Sequence, residues 1–218
     1  MIVVVGGIKG GSGKTTIATN LTVIRSNQKK KVILIDADDQ KSASDWVEHR
    51  ESLNIKTPWT TVQLTGSSLR NQVIKLKESY DEIIIDTGGR DTSSQRSALL
   101  VADIFLTPFQ PRSLDIWTAR KLSNLIEEVL TLNPNLKTFA FINRADPNGP
   151  DNESALEIIK EFEIFTCLTH TIGQRKAFSN ASAEGLSILE MRKKDKKAIE
   201  EFKKIAKCIH LDSKKKLK

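Results

Sequence analysis

In the segment Gly6-Gly7-Ile8-Lys9-Gly10-Gly11-Ser12-Gly13-Lys14-Thr15-Thr16 an apolar run stops, small residues surround two lysines, and a helical pattern starts. That order suits the cradling of a phosphate group. Glycines let successive backbone N–H groups turn toward an anion, and the helix that follows adds the positive end of its dipole. Lys14 can reach the terminal phosphates of a nucleotide, and Thr15 can offer its hydroxyl to Mg²⁺. The ordinary pattern, G-x-x-x-x-G-K-[ST], asks for glycine at position 8, where this chain has Ile8. What remains is the string K-G-G-x-G-K-T-T.

Carboxylates close two other apolar runs. Val32-Ile33-Leu34-Ile35 ends in Asp36-Ala37-Asp38-Asp39-Gln40, and Asp81-Glu82-Ile83-Ile84-Ile85 ends in Asp86-Thr87-Gly88-Gly89. Two carboxylates one residue apart can divide labour beside a nucleotide, one steadying the Mg²⁺ shell and the other positioning the attacking water. Asp36 is assigned the first duty and Asp38 the second, with Asp39 read as a helix N-cap. Gly88 and Gly89, without a Cβ, are expected to loosen the loop that follows.

These groups meet only if the chain folds so that its strand ends converge. Short β-branched runs at 2–5, 32–35, 61–64, 83–85, 104–107 and 138–142 alternate with helical patterns at 15–25, 42–53, 69–79, 113–130, 153–162 and 196–209. Strands that are apolar at nearly every position are those of a parallel sheet covered on both faces. The expected class is therefore α/β: a doubly wound, mostly parallel sheet with helices on both faces. In such sheets ligands bind beyond the carboxyl ends of the strands. The polar clusters at 9–16, 36–40, 86–90, 108–112 and 143–146 all fall there.

At 218 residues the chain has room for one large domain, expected at 1–211 with a basic tail at 212–218. Its 39% hydrophobic and 28% charged residues argue against disorder, and no apolar run approaches the roughly 20 residues of a membrane span. The N-terminal run reads as a strand and not as a signal peptide, which makes a cytoplasmic location the expectation. Cys167 and Cys208 lie far apart without a C-x-x-C partner, excluding a disulfide scaffold or a four-ligand metal site. The three histidines lack metal-ligand spacing, and Trp46, Trp59 and Trp117 are read as packing or interface anchors. The net charge of +7 is C-terminal: Glu190 to Lys218 holds twelve Lys or Arg against five Asp or Glu, and the other 22 of each sign cancel.

The string K-G-G-x-G-K-T-T resembles the deviant Walker A motif of the ParA/MinD superfamily, with Lys9 as its extra lysine. The resemblance implies ATP and Mg²⁺ as cofactors, ATPase activity, and nucleotide contacts by Lys9, Gly10, Gly11, Ser12, Gly13, Lys14, Thr15 and Thr16. It further implies an ATP-sandwiched homodimer in which Lys9 reaches the partner's nucleotide. Lys9, Lys14 and Asp38 would then be the catalytic groups. Asp36 to Gln40 is similar to the family's D-x-D-P-Q element, with Asp39 in place of Pro. The strand ending at Asp86 resembles a Walker B strand, so that Thr15, Asp36 and Asp86 would serve the metal. Leu106 to Asp115 is similar to a P-x-x-P-s-x-x-D stretch in which Pro108 and Pro111 shape a dimer-facing loop, and Asn143 and Arg144 fall where the adenine contact lies. Ile172 to Ile188 resembles a late family element.

Within that family the chain looks like a small ParA-type partition ATPase lacking the N-terminal helix-turn-helix domain. Such a protein dimerises on Mg-ATP, binds non-specific DNA at the nucleoid, and hydrolyses ATP when a ParB-like centromere-binding protein stimulates it. The expected DNA contacts are Arg175, Lys176, Arg192, Lys193, Lys194, Lys196 and Lys197, with Lys214 to Lys216 in reserve, since phosphate-directed cations bind without reading sequence. Two alternatives are an accessory ParA homologue acting on a protein partner and a MinD-like ATPase positioned on a membrane surface. The last would use the apolar stripe Ala198, Ile199, Phe202, Ile205, Ala206 and Ile209 on lipid, but a final helix packed on the sheet shows the same stripe, and core packing is the favoured reading. An iron-sulfur scaffold would need paired cysteines, and a small-molecule kinase would need an acceptor motif that is not apparent.

Overall fold

In the computed structural model, which describes residues 1–113, 116–147 and 149–214 (the backbone alone at 113 and 211–214), strands and helices alternate along the chain. The first half runs β1 (Ile2–Val5), α1 (Lys14–Asn27), β2 (Val32–Asp36), α2 (Ser42–Ser52), β3 (Thr60–Gln63), α3 (Leu69–Leu76), β4 (Glu82–Asp86) and α4 (Ser93–Leu99). The second runs β5 (Ile104–Phe109), a 3₁₀ turn (Pro111–Ser113), α5 (Ile116–Leu132), β6 (Lys137–Ala145), α6 (Pro150–Lys160), β7 (Thr166–Cys167), β8 (Ile172–Gly173), α7 (Lys176–Ala183) and α8 (Lys196–Lys214).

The strands order as β3-β2-β4-β1-β5-β6-β7, with β8 also on β6, and every pairing among the described residues is parallel. β1 lies between β4 and β5, so the crossovers leave it in opposite directions and the switch in strand order falls at its carboxyl end. The phosphate-loop sequence begins there.

β1, β2, β4 and β5 are buried at every position, which is why they read as unbroken apolar runs. Alternation along β1 divides the core in two. Val3 and Val5 pack with Leu21 of α1 and with Phe202, Ile205 and Ile209 of α8. Ile2 and Val4 pack on the other face with Leu69, Val73, Leu122 and Ile126.

The apolar stripe of α8 therefore belongs to the core: Ala198, Phe202, Ile205 and Ile209 have no exposed surface. The lipid-surface use of that stripe would have to do without these four residues, and Ile199, half-buried, lies at its edge. No helix among the described residues is long and apolar enough to cross a membrane.

Where structure and sequence reading part, local chemistry explains it. α4 and α7 carry few bulky apolar residues, and the sequence shows no period for them; α4 starts because the Thr92 side chain caps the Gln95 N–H. β7 and β8 are two residues each. α6 starts at Pro150, three residues early, because proline suits the first helical turn. α8 continues to Lys214, so the expected start of a tail at 212 lies inside a helix. Lys215 and Lys216 lie outside the described residues, as do Leu114 and Asp115 of the proline-containing stretch.

Trp46 and Trp59 stack with ring centroids 6.1 Å apart, and the buried Arg50 guanidinium lies 5.5 and 5.0 Å from their rings. Trp117 is instead 68% exposed beside Arg120. Both cysteines are half-buried, and burial pushes the Cys167 thiol pKa up.

Candidate nucleotide-binding site

Glycine is required twice in the loop from β1 to α1. Gly11 and Gly13 have φ of 75° and 92°, where a side chain is strained. At Gly13, the residue before α1, a Cβ would also fall 2.4 Å from Asn143 Nδ2. That amide, buried at the end of β6, donates to the Ser12 carbonyl at 2.7 Å and supports the loop. The next residue, Arg144, has φ of 56° at a register shift between β6 and β8, and lines the cavity in front of the loop. Asn143 and Arg144 thus stand back to back, one holding the loop and one on the cavity wall.

The cavity measures about 770 Å³, a size suited to a nucleotide. Gly10, Gly11, Gly13, Lys14, Thr15 and Thr16 form one side; Asp38, Gly88, Gly89 and Arg90 form another. Lys14 is 6% exposed, and its ammonium donates to the Lys9 carbonyl at 2.8 Å. Burial pulls its pKa down, while the nearby Asp86 and Asp38 act the other way. Lys9 is exposed on the rim.

Asp86 is fully buried, and neither carboxylate oxygen meets a hydrogen-bond partner among the described residues. Burial pushes its pKa up to about 7; the Thr15 hydroxyl and Lys14 nearby oppose the rise, and the charges of Asp36 and Asp38 add to it. An orphaned, desolvated carboxylate beside a hydroxyl calls for a cation. Asp86 and Thr15 therefore fit Mg²⁺, a hard ion that takes oxygen ligands. Asp36, equally buried, accepts the Ser44 N–H at 2.7 Å and the Asp38 N–H at 3.2 Å. It fixes the β2–α2 turn while facing Asp86 across paired strands. Asp38 is half-buried on the cavity wall and accepts the Gln40 N–H at 3.2 Å.

The two glycines after β4 have a tighter duty than the expected loosening. A Cβ on Gly89 would lie 2.6 Å from the Gly10 nitrogen, and one on Gly88 would lie 2.8 Å from Asp38 Oδ1. Only glycine lets this turn press against both the phosphate loop and Asp38.

Gln95 escaped the sequence reading. It is fully buried in α4, and its Oε1 accepts the Thr87 hydroxyl at 3.0 Å and the Gly7 N–H at 3.4 Å, tying the phosphate loop to the turn after β4. A glutamine in a serine-rich stretch gives no signal for this. Gln110, between Pro108 and Pro111, likewise donates to the Gly11 carbonyl.

Of the expected DNA contacts, Lys176, Arg192, Lys193, Lys194, Lys196 and Lys197 are exposed around the start of α7 and the start of α8. Arg175 is bound instead to Glu201 at 2.7 Å, with Asp195 at 3.9 Å.

The family model for CobQ/CobB/MinD/ParA nucleotide-binding domains matches residues 3–188. The maintenance of carboxysome distribution protein A of Gloeobacter kilaueensis is 30% identical over 214 residues, covering 94% of this chain and 91% of that one. Its namesake from Halothiobacillus neapolitanus is 27% identical over 205 residues, covering 92% of each. Two solved structures share the fold: a proposed plasmid partition protein of Borrelia burgdorferi B31 bound to AMPPNP (24% identity, TM-score 0.75, covering 97% of this chain and 98% of that one), and cobyrinic acid a,c-diamide synthase of Mycobacterium smegmatis with bound ADP and magnesium (18%, 0.76, 98% and 95%). ATP and Mg²⁺ are the cofactor pair to which the phosphate loop and the buried Asp86 correspond. The chain belongs to the CobQ/CobB/MinD/ParA family of nucleotide-binding domains and is an ATPase of the ParA/MinD type.

Proposed function

We propose that this ATPase positions a cargo along DNA: it dimerises on Mg-ATP, holds non-specific duplex DNA in that state, and hydrolyses ATP when an adaptor on the cargo stimulates it. The observation that carries this is the division of the two loop lysines. Lys14 is buried inside the loop, whereas Lys9 is exposed on its rim, where a cation serves a nucleotide held by a second copy. Added in trans, it offsets charge developing on the transferred phosphoryl group.

In the proposed cycle Lys14 exchanges the Lys9 carbonyl for the terminal phosphates, and Thr15 and Asp86 hold Mg²⁺, with Asp36 steadying that shell. Mg²⁺ held there would screen phosphate charge. Asp38 orients the attacking water. The Gly88-Gly89 turn, pressed on Gly10 and Asp38, carries the state of the phosphate loop to Asp38.

The exposed Lys176, Arg192, Lys193, Lys194, Lys196 and Lys197 support phosphate-directed DNA contact without base reading; Arg175 contributes by holding α8 against β8. The cargo proposed first is a protein body, because relatives named for carboxysome distribution align over more than nine-tenths of the chain. Partition of a DNA cargo through a centromere-binding adaptor is the second reading, favoured by alignment over 91% of this chain with IncC of Escherichia coli.

The test is binding to non-specific duplex DNA and to anionic vesicles, each with ATP, ADP or no nucleotide, at two salt concentrations. ATP-dependent, salt-sensitive DNA binding supports the proposal. Vesicle binding without DNA binding would replace it with the membrane-surface alternative, and binding to neither would leave an ATPase whose surface is another protein.

A further inference from the structure

A second groove lies at the opposite pole of the sheet, where the strands begin. It measures about 1190 Å³ and runs between the last turn of α1 and one stripe of α8. Ile199, Lys203, Ala206, Lys207 and His210 follow the spacing of a single helix face. The floor is apolar, made by Ile24, Leu189, Ile199 and Ala206; the rim carries Lys30, Lys194, Lys203 and Lys207.

Two acidic residues also line the groove, and both are engaged. Glu82 binds Arg25 at 2.5 Å and His210 at 2.7 Å, and Asp81 accepts the Lys31 N–H at 2.8 Å. Lys194, Lys203 and Lys207 make no ion pair among the described residues. A second hollow of about 420 Å³ shares Lys194, Ile199, Lys203 and Lys207 and adds Lys196, while its Lys204 is paired with Glu200 at 2.8 Å. The groove thus joins an apolar floor to unpaired positive charge, far from the phosphate loop.

We propose that this groove docks an acidic amphipathic segment of a partner protein, with carboxylates on Lys194, Lys203 and Lys207 and bulky apolar side chains on the floor. Charge complementarity selects an anionic occupant, and the floor selects among anions. A free phosphate leaves most of the groove empty, and a duplex backbone brings no apolar group to Ile24 or Ile199, whereas an amphipathic helix satisfies both features. Because the groove and the nucleotide cavity lie at opposite ends of the strands, docking does not compete with ATP. The proposal shares Lys194 with the DNA reading but is tested at Lys203 and Lys207, which are not among the residues assigned there.

The probe is a fluorescein-labelled peptide of about 18 residues, five helical turns, with leucines on one face and glutamates on the other. It is titrated against the full chain and against Lys203→Glu/Lys207→Glu, two exposed positions whose exchange leaves ATP turnover as the check on folding. The expected result is saturable binding that weakens by about tenfold or more in the variant. A glutamate–serine peptide without leucines should bind more weakly by a similar factor. Equal binding by wild type and variant, equal binding of the leucine-free peptide, or displacement of the peptide by duplex DNA with loss of DNA affinity in the variant would each overturn the proposal.

Discussion

The Lys14 ammonium donates to the Lys9 carbonyl at 2.8 Å, so the two lysines of the phosphate loop are linked through main chain while their side chains occupy different surroundings. In the proposed cycle the buried one binds its own nucleotide and the exposed one acts across the interface with a second copy.

Replacing each lysine should therefore give different defects. Lys14→Ala should lose ATP binding itself. Lys9→Gln should keep it and lose ATP-dependent dimerisation or stimulated turnover, on the order of a thousandfold in rate. Sedimentation with ATP beside a turnover assay separates the two, and a fully stimulated Lys9→Gln dimer would remove Lys9 from the mechanism.

Asp38→Ala should leave nucleotide binding intact and lower turnover by about a hundredfold or more, trapping the ATP-bound state. Quantifying nucleotide retained after gel filtration checks this. Normal turnover would transfer the water-positioning role to Asp36.

Asp86 gives the pH dependence. Its pKa stands at about 7 in the folded chain against an ordinary value of 3.8. The folded state therefore binds more protons than the unfolded one between those values, and the nucleotide-free protein should lose stability as pH rises through that window. Mg²⁺ competes with the same proton, so Mg-ATP affinity should climb up to about pH 7 and then level. Asp86→Asn should flatten the stability profile, stabilise the nucleotide-free protein at pH 8 by a few kcal/mol at most, read as a higher Tm, and weaken Mg-ATP binding. An unchanged profile in thermal unfolding across pH would contradict the assignment.

Gly89→Ala introduces a Cβ 2.6 Å from the Gly10 nitrogen. The turn or the phosphate loop must shift, at a cost of about 1–3 kcal/mol. A lower Tm together with weaker ATP binding is expected. A drop in Tm alone would mean that the turn moves and the phosphate loop does not.

Gln95→Leu removes the acceptor for the Thr87 hydroxyl and the Gly7 N–H. The Thr87 hydroxyl keeps the Val5 carbonyl at 3.3 Å, so the buried Gly7 N–H is the donor left without this acceptor, at a cost of roughly 1–3 kcal/mol. Because the residue touches the phosphate loop from behind, turnover should fall more than ATP affinity, which steady-state kinetics resolves.

The phosphate loop, the acidic strand ends and the parallel order were legible because each depends on neighbours in sequence: glycines before a helix, and apolar runs closed by Asp36 and Asp86. Contacts between distant segments were not. The Asn143 amide under Ser12, the Gln95 link between Gly7 and Thr87, and the fit of Gly89 against Gly10 join residues far apart in the chain, and nothing local marks them. The same holds for Arg175, which reads as one more surface cation until α8 brings Glu201 beside it. α4 and α7 were missed because they carry too little apolar surface to impose a period.

The stacked pair Trp46 and Trp59, with Arg50 against both rings, gives the chain its own optical probe. Trp46 is buried yet borders the nucleotide cavity, and Arg50 donates to the Gly185 carbonyl and to Glu190, just before a basic strip of exposed Arg192, Lys193, Lys194, Lys196 and Lys197. Emission from the unlabelled protein should follow ATP entering at one end of this stack and rearrangement of the basic strip at the other, with the exposed Trp117 as a separately quenchable background.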